Sequence, residues 1–212
     1  MTRTDETVYL VDDDSYVRVA LSELIATFGF TVVSFGTAGE FLQYRRPDAP
    51  ACVVLDLRLP DMGGLDLQQQ IAQTGPPIIF ISGHGEIPDS VRAMKAGALE
   101  FLQKPVDTDA LIDAIGAACS RDRLLRSQNA ELAELQSRFA TLTRREREVL
   151  PLVIGGMRNK QAAWELGIAQ VTLQVHRGQI MRKMAARSLP ELVRIGERLG
   201  VAPPDSTNIA HS

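Results

Sequence analysis

The chain has 212 residues, 45% hydrophobic and 23% charged, which suits two modest globular domains and excludes a disordered or fibrous chain. Its N-terminus is polar and acidic and no apolar run is long enough to span a bilayer, so no signal segment, no membrane contact and a cytoplasmic location are expected. The net charge of −3 hides an asymmetry: residues 1–120 carry 8 Lys/Arg against 17 Asp/Glu, whereas residues 121–212 carry 15 against 9, so only the second half suits a polyanion.

The first half alternates short apolar runs with amphipathic stretches. Strands are predicted at 8–11, 31–35, 51–55, 78–81 and 99–103. Helices are predicted at 15–28, at 37 onward behind a Thr37–Glu40 capping box, at 65–73, at 88–96, and from 107 onward. Asp14 reads as the N-cap of the first helix. This alternation implies a doubly wound parallel sheet, whose sites form at the carboxyl ends of its strands. Cys52 lies inside an apolar run and Cys119 has no metal-ligand spacing to it, so both are expected as buried free thiols.

The helical pattern then runs on. Leu125, Leu132 and Phe139 repeat every seven residues, with Gln128, Leu135 and Leu142 on an interleaved seam. Two readings stay open: a short coiled-coil linker over 121–140, or a helix packed on one domain. Thr143–Glu146 forms a second capping box, opening a helix that ends at Gly155-Gly156. A short helix covers 159–166, Gly167 suits a left-handed cap, and a longer helix covers 170–184. Ser188 to Glu191 caps a last helix. Two helices around a tight glycine turn, in a four-helix unit over 141–200, form a helix-turn-helix. The Pro/Ser/Asn-rich stretch 201–212 is expected to be disordered.

The unusual polar residues fall at strand ends. Asp12 and Asp13 follow the first strand, Asp56 ends the third, Ser82 the fourth and Lys104 the fifth, so these groups should converge. Clustered carboxylates that stay ionised need a cation, and oxygen ligands without His or Cys suit a hard ion, Mg²⁺ before Zn²⁺. A carboxylate in that setting can attack phosphorus, with Lys104 pairing the phosphoryl and Ser82 hydrogen-bonding it. His84, between two glycines, reads as a solvent-facing loop residue.

These residues carry a resemblance. Val11-Asp12-Asp13, Leu55-Asp56-Leu57-Arg58-Leu59-Pro60-Asp61-Met62, Ser82-Gly83-His84-Gly85 and Lys104-Pro105 resemble a response-regulator receiver domain, here over 6–120. The resemblance implies strand order 2-1-3-4-5, as in flavodoxin-like folds, with Asp56 as phosphoacceptor. It implies Mg²⁺ or Mn²⁺ held by Asp13, Asp56 and the backbone carbonyl of Arg58, with Asp12 acting through water. Ser82 would be the switch hydroxyl, Lys104 the phosphate partner, Phe101 the switch aromatic, and Lys104-Pro105 a cis peptide.

The second half resembles the LuxR-type helix-turn-helix, through Leu142 to Leu150, Gly156-Met157-Arg158-Asn159-Lys160, Gly167-Ile168, Thr172 to His176, and Ile180 with Arg182-Lys183-Met184. Leu173, Ile180 and Met184 fall at helical spacing and read as core. The opposite face carries Thr172, Gln174, Val175, Arg177 and Gly178. The resemblance places Gln174, Val175 and Gly178 at base edges, and Lys160, Thr172, Arg177, Arg182 and Lys183 at phosphates. His176 would turn inward. Ala169 stands where the family often has a capping Ser, and Gln174 and Gly178 replace basic residues often found there.

Together the motifs resemble the FixJ/NarL class of response regulators, with the FixJ side closer. That resemblance implies a sensor histidine kinase, promoter half-sites in double-stranded DNA, a homodimer on phosphorylation, and RNA polymerase as partners. Ser82 and Phe101 would move on phosphorylation and repack a dimer surface over 88–103 that includes Met94 and Ala98. Two rivals stand beside it. One is a phosphatase or dehalogenase with an aspartyl intermediate, although Arg58 stands where such enzymes carry a second Asp and no cap domain is present. The other is a DNA-binding module whose receiver is only a scaffold.

Overall fold

The computed structural model describes residues 6–72, 75–83 and 87–202. The chain divides into two compact units, Met1–Ser127 and Gln128–Ser212. In the first, strands β1 (Thr7–Val11), β2 (Thr31–Phe35), β3 (Ala51–Asp56), β4 (Ile78–Ser82) and β5 (Glu100–Gln103) alternate with helices. Those helices are α1 (Ser15–Thr27), α2 (Ala38–Gln43), α3 (Gly64–Ile71), α4 (Ile87–Lys95) and α5 (Thr108–Ala140), whose residues from Gln128 onward belong to the second unit. The strands pair in parallel, as the alternation predicted, in the order β2-β1-β3-β4-β5 that the resemblance implied.

Strands β1, β3 and β4 are buried throughout, because helices cover both faces of a parallel sheet. One face packs Val8, Leu10, Cys52, Val54, Ile79 and Ile81 with apolar residues of α1 and α5. The other packs Tyr9, Val11, Val53, Leu55 and Phe80 with Phe41 of α2, Leu67 and Ile71 of α3, and Ala93 of α4. Both cysteines are buried free thiols.

Local caps match the sequence with one refinement. Asp14 accepts hydrogen bonds from the Tyr16 and Val17 amides, at 2.8 and 3.4 Å. Thr37 accepts from the Glu40 amide at 3.1 Å, but Glu40 reaches back to the Gly36 amide (2.8 Å) and leaves the Thr37 amide alone. The box expected there is therefore half formed, and its carboxylate fastens the end of β2.

The first unit runs past residue 120, where the sequence placed its edge. Buried Asp122 accepts from the Ala51 amide (2.9 Å) and from Arg126 Nε (2.6 Å), Arg126 also pairs with Asp48, and Arg123 pairs with Glu6. These ties fasten the middle of α5 to the sheet edge opposite the acidic residues.

The second unit holds α6 (Arg144–Ile154), α7 (Asn159–Glu165), α8 (Gln170–Lys183) and α9 (Leu189–Arg198). Its core includes Leu142, Val149, Leu150, Val153, Ala162, Leu173, Ile180, Met184 and Leu192, with Phe139 packed against it. Leu135 is also buried, while Leu125 and Gln128 are exposed. Of the two readings of the heptad pattern, packing within one unit accounts for Phe139 and Leu142.

The Thr143–Glu146 capping box is complete. Between α7 and α8, Gly167 adopts φ +63°, where any side chain would be strained, and the Gly167 and Ile168 amides bond back to the Trp164 and Ala163 carbonyls. The stretch expected to be disordered, 201–212, lies outside the described residues beyond Ala202.

Candidate phosphoacceptor pocket and nucleic-acid face

The pocket forms where β1, β3, β4 and β5 end. Asp12, Asp13 and Asp56 bring carboxylate oxygens within 4.8 Å of one another. Asp12 is fully buried, Asp56 nearly so, and Asp13 exposed. The donor set is oxygen only, and three carboxylates this close suit one hard divalent cation. These residues therefore fit the expected Mg²⁺ or Mn²⁺.

Lys104 reaches in from the end of β5. Its ammonium lies 2.6 Å from Asp12 Oδ2 and 2.7 Å from Asp56 Oδ2. Burial works against its charge, but the hydrogen bonds to Asp12 and Asp56 and their charges outweigh it, so the ammonium titrates above its ordinary value. Asp12 moves the other way: burial lifts its carboxyl above the ordinary range, although Lys104 and the Asp14 amide oppose the shift.

The remaining predicted residues take their places around this pair. The Arg58 amide donates to Asp56 Oδ1 at 3.1 Å, turning the loop after β3 back over the carboxylate. Ser82 is buried at the end of β4, and its carbonyl accepts from the Lys104 amide at 2.8 Å. The Lys104-Pro105 peptide is cis. Phe101 is half-buried, with its ring 6.2 Å from that of Phe80. His84 lies outside the described residues.

Gly64 permits the close approach of α3: a Cβ there would lie 2.6 Å from the Asp56 carbonyl, so any side chain would push the loop after β3 away. On the surface proposed for pairing, Met94 is exposed together with Val91, but Ala98 is buried in the core and cannot serve there. It closes the turn behind α4, its amide bonding to the Ala93 carbonyl.

Two structural residues escaped the sequence reading. Arg18 Nη1 donates to the Asp12 and Asp13 carbonyls at 2.6 and 2.9 Å. Asp61 accepts from the Ala38 and Gly39 amides at 3.1 and 2.8 Å, capping α2 from the loop after β3, and the Gly39 bond leads in holding its carboxyl below the ordinary range. Their signals were only a charge inside a helix and an acid inside a loop.

In the second unit Thr172, Gln174, Val175 and Gly178 are exposed on α8, as are Lys160 on α7 and Arg182. Arg177 is half-buried and donates to Asn159 Oδ1 at 2.6 Å. Lys183 departs furthest from its expected setting: its ammonium bonds Glu146 Oε2 at 2.6 Å and the Thr141 carbonyl at 3.2 Å. His176 is half-buried. Ala169 caps α8 in extended conformation with no side-chain bond.

Comparison with known proteins agrees with both halves. The family described as "Response regulator receiver domain" matches residues 8–116, and "Bacterial regulatory proteins, luxR family" matches residues 140–196. Nodulation protein W of Bradyrhizobium diazoefficiens is 48% identical over 201 residues, covering 94% of this chain and 88% of that protein. The transcriptional regulatory protein FixJ of Azorhizobium caulinodans is 40% identical over 200 residues, covering 93% and 95%. The solved structure of the response regulator StyR aligns with a TM-score of 0.82 at 47% identity, covering 92% of this chain and 99% of that one. With a receiver pocket at its strand ends and a LuxR-type helical domain following in sequence, the chain belongs to the two-component response regulators that control transcription, a family of regulators and not of turnover enzymes.

Proposed function

We propose that the chain accepts a phosphoryl group on Asp56 from a sensor histidine kinase, and that this controls homodimerisation and sequence-specific DNA binding. The observation that carries the reading is the meeting of Asp12, Asp13 and Asp56 within 4.8 Å, with Lys104 bonded to two of them. Mg²⁺ or Mn²⁺ held by Asp13, Asp56, the Arg58 carbonyl and, through water, Asp12 would neutralise charge on the phosphoryl oxygens.

In the transfer an Asp56 oxygen attacks phosphorus. The bond from phosphorus to the donor imidazole breaks, and its electron pair returns to that ring. Lys104 stays cationic at neutral pH and moves its ammonium from the Asp56 carboxylate to the new phosphoryl group. Ser82 supplies a hydroxyl, and Phe101 turns into the space that Ser82 vacates. The surface of α4 and β5, with Met94 and Val91 exposed, repacks for pairing. Turning a mostly inactive population into a mostly active one takes about 5.5 kcal/mol of differential stabilisation, which phosphoryl contacts and dimer burial supply together.

On DNA, Gln174, Val175 and Gly178 meet base edges, while Lys160, Thr172, Arg177 and Arg182 meet phosphates. A dimer engages two half-sites in promoter DNA and presents RNA polymerase with a fixed partner in the cytoplasm.

Labelling with a small-molecule phosphoryl donor such as acetyl phosphate tests the acceptor. Wild type should gain a base-labile label and Asp56→Asn none; undiminished labelling of the variant removes the assignment. DNA affinity should rise with beryllofluoride, and an unchanged affinity would uncouple the two halves.

A further inference from the structure

The pocket holds its acidic residues from the main-chain side as well. Arg18 lies one turn into α1, half-buried, and directs Nη1 to the carbonyl oxygens of both Asp12 and Asp13. It also packs on the end of β2, where a Cβ on Gly36 would lie 3.6 Å from Nη1. A guanidinium on a turn that carries two acidic residues would ordinarily pair with one of their carboxylates. Here it forms no ion pair among the described residues and gives its donors to two neutral carbonyls.

We infer that Arg18 is a positioning residue for the divalent cation: it locks the turn after β1 so that the Asp12 and Asp13 carboxylates face Asp56 before the ion arrives. The inference rests on the reading that these three carboxylates hold the cation. Asp13 has most need of such help. It is exposed, so packing does not fix its side chain, and its placement depends on a main chain that Arg18 grips through the carbonyl. Asp12 is already tied by Lys104 and by the Asp14 amide, which its Oδ1 accepts at 2.9 Å.

The charge of Arg18 pulls in the opposite direction, since a nearby cation repels another. Preorganisation outweighs that repulsion because the guanidinium is directed to the carbonyl side of the turn. Removing a group that orients metal ligands lowers affinity about 10- to 100-fold in metal sites generally. The exposure of Asp13 places this case at the lower end, about tenfold.

The test is Mn²⁺ binding to the full-length chain, followed by the electron paramagnetic resonance signal of free Mn²⁺. Wild type, Arg18→Met, Arg18→Lys and Asp13→Asn are compared, with urea unfolding in EDTA to establish that each is folded. Arg18→Met should bind Mn²⁺ about tenfold more weakly with its metal-free unfolding midpoint little changed. Arg18→Lys, whose ammonium can still bond a carbonyl, should recover part of the loss and also serves if the Met variant is unfolded. Affinity within twofold of wild type in Arg18→Met, or tighter, while Asp13→Asn is weakened, overturns the role of Arg18 alone. No Mn²⁺ binding by wild type, or none lost in Asp13→Asn, overturns the underlying cation site and this inference with it.

Discussion

Lys104 Nζ stands 2.7 Å from Asp56 Oδ2, across 48 residues of sequence, and the same ammonium bonds buried Asp12. One cation thus offsets two carboxylates before any ligand binds. Lys104→Met should leave Asp12 facing Asp56 uncompensated and cost about 2 kcal/mol of stability in EDTA, because a buried charge that loses its partner keeps its desolvation penalty. Millimolar Mg²⁺ should restore more stability to this variant than to wild type. Burial already raises the Asp12 carboxyl, so its folded form takes up a proton more readily than the unfolded chain does. The variant's stability deficit relative to wild type should therefore shrink as pH falls from neutral toward the ordinary carboxyl value of 3.8. Urea titrations across that range check it, and a flat profile would count against the assignment.

Glu146 gives the opposite sign. Burial works to raise its carboxyl, but Lys183 and the Thr143 bonds outweigh it and hold the group below the ordinary 4.5. A lowered folded value contributes stability above the unfolded value and loses it as pH falls below 4.5 through the folded one. Glu146→Gln should cost about 2 kcal/mol at neutral pH, and its difference from wild type should shrink below pH 4.5. Circular dichroism during urea unfolding measures both.

That same ion pair separates the basic residues of the proposed DNA face. Each phosphate contact contributes about 0.9 to the slope of log affinity against log salt on duplex DNA. Lys160→Ala and Arg182→Ala should each reduce the slope by about that amount. Lys183→Met should change it little while destabilising the domain, because its ammonium is committed to Glu146. Fluorescence anisotropy over a salt series distinguishes these outcomes.

Ala169 has the extended backbone of an N-cap, φ −67° and ψ 145°, and makes no capping bond. Ala169→Ser should supply an acceptor to the first amides of α8 and stabilise the domain by about 1 kcal/mol. A thermal melt that fails to rise would mean that those amides already have partners.

Much of this was legible in the sequence because its signals are local. Alternating apolar runs define strands and helices, and Asp14, Thr143 and Ser188 reveal helix starts through partners two or three residues away. A parallel sheet places successive strand ends on one edge, so Asp12, Asp13, Asp56, Ser82 and Lys104 could be expected together. Only the tertiary structure decided which distant groups meet. Asp61 caps α2 across 22 residues, Asp122 holds the Ala51 amide across 71, and Lys183 meets Glu146 across 37. Nothing in spacing or composition announces such pairs, because a side chain's reach depends on how whole elements pack. Ala98 shows the same limit: at the end of α4 it reads as surface, and the packing of α4 on the sheet places it inside.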